Sequence, residues 1–213
     1  MSNIKLEDVF NYDVVKENLI IRLCNLENIN PDVVYNDHVD FAETFHILIS
    51  DDEDGIKTIP VTHNLVHVWA KNGYSVSGIH HDAIKSSMRL APVVSFGISE
   101  YLGISTQFGE DATVITTESG IYGAAAILYP DVLNSVCDKF KSDSIIILPS
   151  SIHEVIALPM TKEYCDKGLD DMVAGINAAI VDPSDVLGDK AYCYSKSIGG
   201  IAYLSDIIDE LEW

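Results

Sequence analysis

The most constraining feature of this sequence is a pair of short apolar runs, Ser144-Ile145-Ile146-Ile147-Leu148 and Val155-Ile156-Ala157-Leu158, separated by Pro149-Ser150-Ser151-Ile152-His153-Glu154. Runs this short and rich in β-branched side chains have the length of strands, and Pro and Ser between them mark a turn. The segment 145–159 therefore predicts a hairpin at the centre of a sheet. Residues 45–49 and 56–61 repeat the arrangement around Asp51-Asp52-Glu53-Asp54-Gly55. Residues 113–117 and 191–194 read as further strands, and residues 124–128 as a strand or a buried helical turn.

Helices are expected between these strands. Val15, Leu19, Leu23 and Leu26 fall on one face of a helix over 13–27. Thr62 or Asn64 can cap a helix carrying Leu65, Val68 and Trp69, and residues 75–88 form another that stops before Pro92. Pro130 opens a helix with a stripe of Val132, Leu133, Val136, Cys137 and Phe140. Residues 168–181 place Leu169, Met172, Val173, Ile176 and Ile180 on one face. Paired strands among helices predict an α+β fold, a mostly antiparallel sheet with packed helices. Its 213 residues suit a single domain, with a helix within residues 1–30 and an acidic tail over 206–213. Regular βαβ alternation, GxGxxG and GxxxxGK[ST] are absent from the sequence, which argues against dinucleotide and P-loop chemistry. No cofactor is expected.

Charge narrows the partners. Thirteen Lys and Arg face 33 Asp and Glu, a formal net charge of −20. Such a field repels phosphate backbones and anionic membranes and attracts basic surfaces. Cys24, Cys137, Cys165 and Cys193 lack metal-ligand spacing and read as reduced thiols of a cytoplasmic protein. The polar start and the absence of a long apolar run predict neither a signal peptide nor a membrane span.

Three groups of residues could carry chemistry. Ser151, His153 and Glu154, with Ser150, put hydroxyl, imidazole and carboxylate on one turn, the ingredients of acyl transfer. In an extended chain Ser151 and His153 share a side and Glu154 points away, so the competing expectation is a turn whose hydroxyls bond backbone amides. His63 and His67 stand four apart on a helix, as zinc ligands do, and would need His80 or His81 beside them. Asp51, Asp52, Glu53 and Asp54 do not keep the alternation of a calcium loop, and with Asp206, Asp209, Glu210 and Glu212 in the tail they are candidates for partner binding.

Four stretches carry a family resemblance. They are Ser50–Gly55 leading through Thr58-Ile59-Pro60-Val61-Thr62 to Trp69; Thr116-Thr117 with Gly120, Gly123-Ala124-Ala125 and Ile127-Leu128-Tyr129-Pro130; Leu148–Ile156 ending at Pro159; and Val173–Asn177 with Ala191-Tyr192-Cys193-Tyr194. Over about residues 12–195 the chain resembles an uncharacterised family of anaerobic Firmicutes proteins, known only as a domain of unknown function. The resemblance supports the fold and implies no activity. It also implies that relatives usually carry an additional N-terminal region, which is expected to be missing here. The functional expectation is a monomeric or dimeric, non-enzymatic acidic binding or inhibitor protein. Its partner would be a basic protein surface, such as one that itself binds nucleic acid, which carboxylates on a rigid scaffold would imitate. A small hydrolase using Ser151 and His153, and a small-ligand sensor, are the alternatives.

Overall fold

A computed structural model describes residues 4–52, 55–103 and 111–208. In chain order its strands are β1 (Leu19–Asn25), β2 (Tyr35–His38), β3 (Phe41–Asp52), β4 (Gly55–Pro60), β5 (Val93–Gly97), β6 (Thr113–Thr117), β7 (Ser144–Leu148), β8 (Val155–Pro159), β9 (Tyr192–Ser195) and β10 (Gly200–Tyr203). Its α-helices are α1 (Tyr12–Val15), α2 (His63–Ala70), α3 (Val76–Leu90), α4 (Ile98–Leu102), α5 (Val132–Phe140), α6 (Lys162–Cys165), α7 (Leu169–Ile180) and α8 (Leu204–Ile207). All pairs among the described strands are antiparallel. The fold is α+β, as the sequence predicts.

Two sheets form. In the first, β1 pairs one edge of the long β3, while β2 and β4 share the other edge end to end. The second has the order β10-β9-β7-β8-β6-β5, with the predicted 145–159 hairpin at its centre. Its two faces bury different clusters. Ile115, Ile145, Ile147, Val155 and Ala157 join Phe41, Phe45 and Ile47 of the first sheet in one core. Val114, Ile146, Leu148 and Leu158 join Leu169 and Val173 of α7 in the other. Both faces are covered, so β7 reads as an unbroken apolar run instead of an alternating one.

The expected helix over 13–27, within residues 1–30, is corrected. After α1 and a 3-10 turn at Lys16–Asn18 the chain extends as β1, and Leu26 falls in a separate 3-10 turn, Leu26–Asn28. Leu19 and Leu23 satisfy a helical period and a strand period equally. Ile20 and Ile21, β-branched and adjacent, favour the strand, which buries Leu19, Ile21 and Leu23 on one face. Residues 191–194 also do not form the last strand, because β10 returns beside β9. Residues 124–128 lie in a buried 3-10 turn, Gly123–Leu128. Thr62 and Ser75 cap α2 and α3, accepting from Leu65 N and Gly78 N. No helix among the described residues is long and apolar enough to cross a membrane.

One carboxylate ties the sheets together. Asp40, in the β2–β3 turn, accepts from the Tyr192 hydroxyl at 2.8 Å and from the Tyr203 hydroxyl. Burial and then the Asp40 bond push Tyr192 well above the usual phenol range; the Asp40 bond, ahead of desolvation, raises Tyr203 to about 12. Charge-assisted bonds outweigh neutral ones. Asp40→Asn is expected to lower stability by about 2 kcal/mol, read as a lower urea midpoint at unchanged slope.

Candidate functional site

The turn after β7 does not run extended, and its curl changes which side chains meet. Ser150 Oγ and Ser151 Oγ both donate to Glu154 Oε1, each at 3.0 Å, and Ser151 N donates to Glu154 O at 3.2 Å. Glu154 therefore lies on the side of the serines, contrary to the expectation for an extended chain. The hydroxyls bond a carboxylate, although Ser151 Oγ also accepts from the His153 backbone N–H at 2.9 Å.

His153 is fixed from several directions. The Thr116 hydroxyl donates to its carbonyl at 2.8 Å, and the Tyr122 backbone N–H donates to its Nδ1 at 3.1 Å. With Nδ1 accepting, a neutral ring carries its hydrogen on Nε2, which stands 3.5 Å from Asp185 Oδ2. Tyr122 adopts a left-handed φ of 54°. The Arg22 guanidinium lies 3.5 Å from the centre of its ring, and Arg22 Nη2 donates to Thr58 Oγ1 at 2.6 Å. No hydrogen bond joins Ser151 Oγ to the His153 ring, and both ring nitrogens face other groups. The nucleophile–base contact that a serine hydrolase requires is not formed here.

Glu154, His153, Ser150 and Ser151 line a cleft of about 520 Å³. Ile98, Val114 and Ile156 form one wall, and Ile176 and Ile180 of α7 form another. These last two explain a departure from the expected α7 stripe. Leu169 and Val173 are buried, while Ile176 is 39% and Ile180 80% exposed, because the helix end overhangs the cleft. Asp182 and Asp185, just beyond α7, complete the rim. The Ser184 hydroxyl and N–H donate to Asp182 and hold its carboxyl below the usual range. Among the described residues lining the cleft there are three carboxylates and no Lys or Arg. An apolar cavity with a few convergent polar groups is the usual form of a ligand site.

The other candidates fall elsewhere. Asp51 and the exposed Asp52 sit at the end of β3, with Asp52 4.0 Å from Lys57. Asp206 is exposed on α8, which packs with the second sheet. Glu53, Asp54, Asp209, Glu210 and Glu212 lie outside the described residues. His63 and His67 are exposed on α2 and His81 on α3, and among the described residues no group of three potential ligands has a metal-holding arrangement.

His80 does not turn toward His63 and His67. Its Nε2 lies 3.1 Å from Oε1 of Glu43, a residue that sequence reasoning missed. Glu43 is 1% exposed on the core face of β3, and its Oε2 accepts from His38 Nε2 at 2.9 Å and Asn36 Nδ2 at 3.0 Å. Burial raises its pKa, but these bonds and the imidazole charges bring it below the ordinary carboxylate value. A signal existed: Phe41, Phe45 and Ile47 keep one strand face apolar, and Glu43 interrupts it in register.

No curated protein and no solved structure matches the chain. A family model does, over residues 1–196, nearly the whole length that forms both sheets and the cleft. The chain belongs to DUF5688, a family of unknown function.

Proposed function

We propose that this chain is a non-enzymatic binding protein that takes a cationic group with an apolar stem, presented by a basic partner surface, into the Glu154 cleft. The observation that carries the reading is the composition of that cleft: Glu154, Asp182 and Asp185 around isoleucine walls, with no lining cation among the described residues. A Lys or Arg side chain buries its methylene stem along apolar surface while its charged head seeks a carboxylate. The net charge of −20 steers such a partner at long range, and the cleft selects it at contact. A partner that grips nucleic acid carries such residues in its groove, and occupying that groove would make this chain an inhibitor.

Titrating the protein with a lysine-rich peptide by calorimetry, at low and at high salt, tests the reading. Binding is expected to weaken as salt rises, because charges are screened beyond about 8–10 Å at physiological ionic strength. Glu154→Gln, which still accepts from Ser150 and Ser151, is expected to weaken binding roughly tenfold, or about 1.4 kcal/mol. Asp52→Asn should leave it nearly unchanged. If Asp52→Asn costs more than Glu154→Gln, the hairpin end is the contact and the cleft is not.

A further inference from the structure

A second cleft, of about 490 Å³, opens between the β2–β3 turn and the second sheet, and it shares no lining residue with the first. Its polar lining comprises Asp37, His38, Asp131, Asn134 and Tyr194, against apolar side chains that include Leu128 and Ile201. Among the described residues it, too, has no lining cation.

Three observations distinguish it from an ordinary surface gap. His38 is backed by the buried Glu43, whose carboxylate can only accept. The hydrogen of a neutral His38 ring must then sit on Nε2, which leaves Nδ1 as a free lone pair. A carboxylate behind an imidazole fixes its tautomer. Second, Val39 and Asp131 both line the cleft with left-handed φ values of 56° and 65°. A β-branched residue holds that conformation only where its surroundings impose it, and such residues gather at functional sites. Third, Asp40, next to Val39, is anchored to Tyr192 and Tyr203, so the rim is tied to the second sheet.

We infer that this cleft is a second binding site, for a polyhydroxylated small molecule of the sugar class, with His38 Nδ1 accepting one ligand hydroxyl and the Asp37 and Asp131 carboxylates available to others. Asn134 Oδ1 is already taken by the Tyr194 hydroxyl at 2.8 Å, so the acceptors left to a ligand are His38 and the two carboxylates, and the ligand must be rich in donors. A charged amine is also rich in donors, and it is the alternative that the test separates from a sugar.

The test uses the full chain with ¹⁵N-labelled histidine and backbone. The His38 ring is expected to show the Nε2–H tautomer. Ribose and glucose, each titrated to about 100 mM because small polar ligands bind in the millimolar range, should shift His38 and the Asp131, Asn134 and Gly200 amides saturably. Ethylammonium serves as the charged-amine arm. His38→Phe should abolish sugar binding, and Glu43→Gln should weaken it roughly tenfold, the usual effect of losing the group behind an imidazole. Glu154→Gln should leave it unchanged, which separates this site from the first cleft. An Nδ1–H tautomer, saturation by ethylammonium alone, no saturation by either sugar, or undiminished sugar binding by a folded His38→Phe protein would each overturn the inference. Should Glu43→Gln fail to fold, His38→Phe decides alone.

Discussion

Lowering the pH from about 6.5 toward 3 should cost this protein about 4–5 kcal/mol through one half-buried histidine, His46. His46 lies on β3 between two threonines. Thr44 Oγ1 donates to the Arg22 carbonyl and faces His46 Nε2 at 3.1 Å; Arg22 Nη2 donates to Thr58 Oγ1, which faces His46 Nδ1 at 3.3 Å. The network is complete with His46 neutral, its Nε2–H donating to Thr44 and its Nδ1 accepting from Thr58. Burial, and secondarily the Arg22 charge, lower the His46 pKa from 6.5 to about 3. The unfolded chain binds this proton below 6.5 and the folded chain does not until about 3. Stability therefore falls with pH across that window, by about 1.4 kcal/mol per unit. Below the ordinary glutamate range Glu43 adds to the loss, since its folded pKa is depressed and its contribution is present only above the unfolded value. Urea unfolding at pH 7, 6 and 5 isolates His46 from the carboxylates. His46→Gln should flatten the slope in this interval, and an unchanged slope would show that another group sets it.

Gly123→Ala should disrupt the first cleft from behind. A β-carbon at Gly123 would stand 2.5 Å from the His153 carbonyl oxygen and 2.6 Å from Thr117 N, besides meeting Thr116 Oγ1. Two of these three are backbone atoms, at the end of β6 and in the His153 turn, and cannot swing aside. The substitution must displace the turn and strain the Thr116–His153 and Tyr122–His153 hydrogen bonds. An expected cost of about 3 kcal/mol lies at the upper end for overpacking and corresponds to a melting temperature lower by roughly 6–12 °C. The control is Gly175→Ala in α7, where a β-carbon meets nothing within 4 Å and the better helix former should be neutral or stabilising by up to about 1 kcal/mol. Equal melting temperatures for the Gly123 variant and the wild type would contradict the close packing described here.

What could be read from the sequence was local. The β3–β4 hairpin is announced by acids and Gly55 between two apolar runs, and Gly55 takes a φ of 100° that suits glycine. Thr62 and Ser75 mark the starts of α2 and α3 by their own hydroxyls. The 145–159 hairpin was legible because its strands are short, apolar and separated by turn residues. β1 was hidden because Leu19 and Leu23, four apart, fit both periods. The site was half legible. Ser150, Ser151, His153 and Glu154 are neighbours in the chain, and they do line a cleft together. Their partners are not neighbours: Tyr122, Thr116 and Asp185 reach His153 only because sheet order brings β6, the 3-10 turn and the loop after α7 to one place. The exposure of Ile176 and Ile180 is not legible in the α7 stripe, because an exposed apolar stripe and a buried one have the same period.

Zero-length carbodiimide cross-linking of a bound lysine-rich peptide, with the linked carboxylates identified by mass spectrometry, reads directly which acids hold the cationic group. The peptide ammonium groups are expected to couple chiefly to Glu154, Asp182 and Asp185, and these links are expected to disappear at high salt. Links confined to Asp51, Asp52 or Asp206, or spread over exposed carboxylates without preference for the cleft, would contradict the cleft as the binding site.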